Sequence, residues 1–112
     1  MEERISCKSL KVSDEFKANL RGVYYYTFDT FGYFQAERYL QKIEQAIDTL
    51  LDFYLIYPEC RHIPTKSRMY RNIILDAHLI IYRVTSHRIE VLDIIHAASS
   101  IGKIRSVGKI RP

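Results

Sequence analysis

The chain has 112 residues, 47% apolar and 27% charged, with a net charge of +4; this is one folded domain's worth of core and excludes a disordered chain. Its two cysteines, Cys7 and Cys60, have no metal-ligand spacing and are too few for a disulfide framework, so reduced thiols, no metal site and no cofactor are expected. The charged start Met1-Glu2-Glu3-Arg4 is unlike a signal peptide and no apolar run approaches a membrane span, so the expectation is a cytoplasmic protein without a membrane partner.

Residues 4–12 alternate as a first strand, with Ile5, Cys7, Leu10 and Val12 inward. Ser13 suits a helix N-cap, and Asp14 and Glu15 follow in the first turn, where the helix dipole favours anions. Phe16, Leu20, Val23 and Thr27 then fall on one face of a helix ending near Asp29. Tyr24-Tyr25-Tyr26 rings that helix so completely that some side chains must be exposed, as a partner-binding surface is. Gly32 breaks the chain. A second helix is predicted from Tyr33 to Leu55, with Ala36, Leu40, Ile43, Ile47, Leu50, Leu51 and Leu55 apolar and Glu44, Asp48 and Asp52 striping its outer face. Tyr57-Pro58 ends it, and the short gap at Gly32 makes the two helices an antiparallel hairpin.

From Cys60 the period changes to two. Residues 61–66 read as a short edge segment, because Pro64 excludes a central position. Met69–Leu75, Leu79–Thr85 and Ile89–His96 read as three strands joined by turns at Asp76-Ala77 and Ser86-His87. Leu79-Ile80-Ile81-Tyr82 and Leu92-Asp93-Ile94-Ile95 are apolar on both faces, as strands inside a covered sheet are. The order β-α-α-β-β-β implies an α+β domain over residues 1–96, with a helical hairpin on one face of a mostly antiparallel sheet. Two-residue turns would set Arg83 opposite Glu90 as an ion pair and Arg71 opposite Tyr82. They would also leave Arg71 and His96 on opposite faces, a conclusion that a bulge would reverse.

Residues 97–112 form a basic C-terminal tail, with a turn or short helix leading to a flexible end. Lys103, Arg105, Lys109 and Arg111 give it a charge of +4 without any acid. Arg61, Lys66, Arg68 and Arg71 form a second basic stretch, whereas residues 13–59 hold 8 acids against 4 bases. This polarity points to an anionic partner for the basic segments.

Several residues at matching places carry a resemblance. They are Leu20-Arg21-Gly22-Val23-Tyr24-Tyr25, Gly32 with Ala36, Leu50 with Tyr57-Pro58, Tyr70-Arg71, His78 through Val84, and Ile89 through His96. In this order they resemble the RelE/ParE superfamily of bacterial toxins over roughly residues 8–96. The resemblance implies the toxin of a type II toxin–antitoxin (plasmid stabilisation) system. Its partner would be a cognate antitoxin that wraps an extended or helical segment around it, with operator DNA contacted only through the antitoxin complex. Similar toxins of one branch cut messenger RNA on the ribosome, and those of the ParE branch inhibit DNA gyrase without a recognised catalytic set.

RNA cleavage beside a 2′-hydroxyl needs a base, an acid and cations for the phosphorane. Where the ribonuclease branch places an arginine early in the third strand, this chain has Leu79. Where a tyrosine would follow the last-strand histidine, it has Ala97-Ala98. The ParE-like branch is therefore favoured, acting by binding through Arg61, Lys66, Arg68, Arg71, Lys103, Arg105 and Lys109, with the antitoxin at Tyr24, Tyr25, Tyr26 and the strand edge near 60–66. His96 then reads as a hydrogen-bonded strand-end residue, and His62, His78 and His87 as surface or strand-edge residues. One alternative is a metal-independent, ribosome-dependent endoribonuclease using Lys66, Arg68, Arg71 and His96. Another is a degenerate toxin kept as an interaction module or co-repressor.

Overall fold

The computed structural model describes residues 8–112, so the expected strand residues Ile5 and Cys7 lie outside it. Along the chain come β1 (Ser9–Val12), α1 (Asp14–Phe31), α2 (Tyr33–Asp48), α3 (Leu50–Phe53), β2 (Tyr70–Leu75), β3 (His78–Val84), β4 (Arg88–His96) and α4 (Ile101–Val107). The strands form one sheet in the order β1-β4-β3-β2. Among the described residues, the β1–β4 pair is parallel and the other two pairs are antiparallel. Among the described residues, no helix is long and apolar enough to cross a membrane.

Ser13 begins α1 as its composition predicts. Its hydroxyl accepts the Phe16 N–H at 2.9 Å and also donates to the Leu92 carbonyl, so one buried side chain both caps the helix and ties it to β4. Gly32, at φ 93°, takes the left-handed backbone that separates α1 from α2. The second helix does not run to Leu55. It breaks at Thr49, whose hydroxyl donates back to the Ala46 carbonyl at 2.7 Å. The chain then turns down towards the sheet, where the Tyr54 carbonyl accepts the Tyr82 hydroxyl. Leu50 consequently enters the core, whereas Leu51 and Leu55, expected beside it, are 44% and 62% exposed.

Phe16, Ile43 and Leu50 from the helices meet Ile73, Ile80, Tyr82, Val91 and Ile94 on one face of the sheet. The opposite face carries a second core, in which Ile81, Leu92 and Ile95 meet Cys60, Ile104 and Val107. This double cover explains strands that are apolar on both sides. It also corrects the expectation of a flexible end: residues 101–107 are a helix whose Ile104 and Val107 are buried, because the second sheet face needs apolar cover that the hairpin cannot supply. Residues 61–66 form no strand; the bridge Glu59↔Arg71 covers the start of the β2 edge instead.

The β2–β3 hairpin turns at Asp76-Ala77 and pairs Arg71 with Tyr82. In the next hairpin Arg83 faces Glu90, but the register shifts between Ile81 and Tyr82, so Leu92 is an extra residue and His78 comes to face His96. That bulge puts Arg71 and His96 on the same face of the sheet rather than on opposite faces.

Candidate functional site

Two surfaces carry the chemistry of this molecule, and each is assembled from segments far apart in sequence. The first lies over the second core. Arg61, Lys66 and Arg68 are exposed on the loop before β2. Local bonds hold that loop: the Glu59 carboxylate accepts the Thr65 N–H at 3.3 Å, and the Thr65 hydroxyl accepts the Met69 N–H at 3.1 Å. Ile63 from the loop and Ile110 from the C-terminal segment pack against the same core. At Gly108 an added Cβ would stand 3.4 Å from the Ile63 side chain, so the loop and the C-terminal segment are in close contact. Helix α4 opens at Ser100, whose hydroxyl accepts the Lys103 N–H, and turns Ile104 and Val107 inward. Lys103, Arg105 and Lys109 face solvent.

Arg83 fixes this arrangement from below. Its Nε donates to Glu90 at 2.6 Å, one terminal nitrogen to the Tyr70 hydroxyl at 3.1 Å and the Gly108 carbonyl at 3.3 Å, and the other to the Ile110 carbonyl at 3.3 Å. Arg88 donates to the second Glu90 oxygen at 2.8 Å. Burial pushes the Glu90 carboxyl up, but the bonds from Arg83 and Arg88 outweigh it and hold the group below the ordinary carboxylate value. Arg83 is held above its ordinary value by Tyr70 and Glu90, against the same cost of burial.

The second surface is a groove of about 680 Å³ between α1 and the far ends of β3 and β4. Gly22, Tyr26 and Phe31 of α1 form one wall; His78, His96 and Lys103 line the other side. The imidazoles of His78 and His96 meet edge to face with centroids 5.7 Å apart. His78 Nδ1 lies 2.7 Å from the Tyr39 hydroxyl, and His96 Nδ1 accepts the Ala98 N–H at 3.0 Å. Burial, then the neighbouring His96, lowers the pKa of His78. Burial pushes the Tyr39 hydroxyl up to about 12, so it stays protonated. Beneath the groove Asp93 accepts from Asn19 Nδ2 at 2.6 Å and from the Ile94 N–H at 2.8 Å; burial nevertheless raises its pKa.

A third feature is an aromatic face on the hairpin. Tyr25 and Tyr26 are exposed, and Phe31, Tyr33 and Phe34 extend the patch around Gly32. Tyr24 is half-buried and donates to Glu37, whose carboxylate holds the tyrosine pKa up at about 12.

With this geometry in place, likeness to known proteins is decisive at the level of family. Residues 10–101 match the family described as "ParE toxin of type II toxin-antitoxin system, parDE". The chain belongs to the ParE toxin family. Its structure is similar to a chain from the chromosomal ParDE toxin–antitoxin system of P. aeruginosa, with a TM-score of 0.65 at 21% identity, covering 80% of this chain and 95% of that one. No curated protein is significantly similar to it in sequence. The ParE match takes in the hairpin and, Ser9 apart, the sheet, and stops at Ile101, where α4 begins.

Within this ParE-family chain the residues singled out by sequence separate into groups. Arg61, Lys66 and Arg68 stand exposed on the loop and Arg105 and Lys109 on the C-terminal segment, two stretches in contact over the second core through Ile63 and Gly108; Lys103 stands at the start of α4 beside the groove. Arg71 does not join them. It lies on the hairpin side, donating to the Tyr57 carbonyl at 2.7 Å and the Leu55 carbonyl at 3.3 Å, where it straps the loop after α3 to the sheet. His96 is exposed but sits at the Leu75 end of β2, while Lys66 and Arg68 precede its Tyr70 end. Five strand steps separate the two ends, about 17 Å at roughly 3.3 Å per residue. Lys66, Arg68, Arg71 and His96 are thus not brought to one point. Leu79 packs against the second core opposite Ile95. Among the described residues no three His, Cys, Asp or Glu side chains are grouped to hold a metal. His78, read from the sequence as a surface or strand-edge residue, stands in the groove because the bulged β3–β4 register sets it opposite His96 and Tyr39 reaches it from α2.

Proposed function

We propose that this toxin arrests growth by binding its target, DNA gyrase, through the basic surface of Arg61, Lys66, Arg68, Arg105 and Lys109. The observation that carries this reading is the side-by-side placement of two basic segments some forty positions apart, held on the second sheet face by the shared apolar core and by Arg83. Such a clustered field steers association with an acidic protein surface and gives it register. The cations expected of a ribonuclease lie instead at the opposite end of the sheet from His96, which weighs against the ribosome-dependent reading. On this proposal the cognate antitoxin covers the aromatic face of the hairpin, Tyr25 and Tyr26 with Tyr24, and the complex rather than the toxin alone contacts operator DNA in the cytoplasm. Exposed rings of this extent on a small domain support a bound partner there.

The test is supercoiling by purified gyrase with the isolated toxin added. The native chain should inhibit it, and a combined Lys66→Glu, Arg68→Glu and Arg105→Glu chain should lose inhibition while retaining its fold. Supercoiling indifferent to the native toxin sinks the gyrase assignment. If expression without an antitoxin also proves harmless to growth, the alternative of an inert interaction module takes its place.

A further inference from the structure

The groove beside His78 and His96 is lined by none of the residues of the basic surface just described, and its composition is specific. Gly22 lies in the interior of α1, where glycine is the least favourable residue after proline. The fold does not require it: the backbone there is not left-handed, and an added Cβ would meet nothing within 4 Å. The space that the missing side chain leaves opens into the groove, whose walls include Tyr26 and Phe31, each 66% exposed. An exposed helix interior that gives up a favourable residue only to keep a groove open is explained by something that enters and approaches the backbone.

The lining defines what enters. The groove's own lining holds no carboxylate; Asp93 lies buried beneath it close to Lys103, and Asp76 stands beyond His78 in the adjoining hollow. His96 accepts the Ala98 N–H at Nδ1, which leaves Nε2 as the donor edge of this exposed ring. Lys103 adds a cation at the groove mouth, and Arg105 and Lys109 continue the positive charge along the same C-terminal segment. Flat aromatic walls, one fixed donor and a cation at the mouth suit a planar ring with acceptors attached to a polyanion. A volume of about 680 Å³ is in the range of small-ligand sites and takes one nucleotide unit.

We propose that this groove receives a base of a single-stranded nucleic acid, stacked on Tyr26 or Phe31 and hydrogen-bonded by His96, with flanking phosphates at Lys103 and the cations that follow it. A duplex keeps its bases stacked inside and cannot offer one. A run of acidic side chains would satisfy Lys103 but brings no planar ring for the aromatic walls and no need of an open Gly22. The inference is independent of which protein the toxin inhibits.

Fluorescence anisotropy of the purified toxin with short labelled single-stranded DNA and RNA tests it, and the tighter of the two identifies the source. The native chain should bind, with affinity falling as salt rises. Lys103→Ala should weaken binding and reduce the log–log salt slope by about 0.7, the contribution of one phosphate contact. Gly22→Leu should leave the melting temperature unchanged or higher, leucine being the better helix former. It should weaken binding about tenfold, the loss expected when one base can no longer stack. His96→Ala should weaken it as well. The proposal is overturned if the native chain does not bind at low salt, or if Gly22→Leu and His96→Ala bind as the native chain does, which would mean charge alone. It is equally overturned if polyglutamate displaces the strand as effectively as unlabelled oligonucleotide, the outcome an acidic-peptide site would give. Gyrase inhibition that survives in Gly22→Leu separates this result from the fate of the target assignment.

Discussion

The two faces of the sheet are covered in different ways. On one side a long helical hairpin presents Phe16, Ile43 and Leu50 at helical spacing, and a single contiguous core results. On the other, a loop and a seven-residue helix do the covering. A helix that short has no stability of its own in water, so its place depends on Ile104, Val107 and the Arg83 bonds to the carbonyls beyond it. The hairpin face bears most of the acids and the other most of the clustered bases. The difference teaches that here stability and charge presentation are separated: the face covered by a loop and a short helix, rather than by the long hairpin, is the one that displays the exposed cations.

Breaking the polar clamp should have the largest effect. Arg83→Met leaves Glu90 buried with only Arg88 beside it and removes the ties to Gly108 and Ile110; a loss of about 3 kcal/mol is expected in urea unfolding. Adding Glu90→Leu should recover part of that stability, yet leave the amides of residues 101–112 exchanging faster than in the native chain. Recovery of both together would show that the clamp does not hold the C-terminal segment. Next comes a matched pair of core truncations. Leu50→Ala should cost about 2–5 kcal/mol of global stability. Ile104→Ala should cost less, because α4 can undock alone, and should chiefly speed proteolysis after His96. Equal losses, with no change in cleavage, would mean that the two faces unfold as one.

A pH titration sharpens the comparison further. His78, on the hairpin side, has its pKa lowered by burial and by His96. The unfolded chain therefore binds a proton at His78 more readily than the folded one. Its contribution is fully present above the ordinary value of about 6.5 and is lost as pH falls through the lower folded value. His78→Gln should flatten that part of the acid limb in urea titrations. Glu90, on the other face and also lowered, is lost only at more acidic pH, as the medium passes through its depressed folded value. The smallest effect is expected at the exposed pair Lys42–Asp76, 3.2 Å apart with both side chains more than half exposed. Lys42→Ala should change stability by no more than about 0.5 kcal/mol and vanish into the background in high salt.

Much of the architecture was legible because its causes are local. Ser13 before Asp14-Glu15 marks a helix start wherever it occurs, Gly32 marks a break, and the alternation after Met69 with turns at Asp76-Ala77 and Ser86-His87 yields the strands and the Arg83–Glu90 pair. The aromatic face was legible too, since three consecutive tyrosines cannot all be buried on one helix. The groove was not. It depends on the register of β4 after Leu92 and on Tyr39 reaching His78 from α2, neither of which has a local signature.

What the amino-acid order determined by itself, then, is the succession of elements, the caps and turns between them, and the separation of acidic from basic stretches. Tertiary structure alone decided three further things. It stopped the second helix at Thr49 so that the chain could meet Tyr82, inserted the bulge that turned His96 to the side of His78, and docked α4 so that the segment of Arg105 and Lys109 meets the loop of Arg61, Lys66 and Arg68. Each is the outcome of competition for cover between surfaces remote in sequence. A half-covered sheet exposes apolar area that any nearby segment can relieve, and only the assembled fold shows which segment does so.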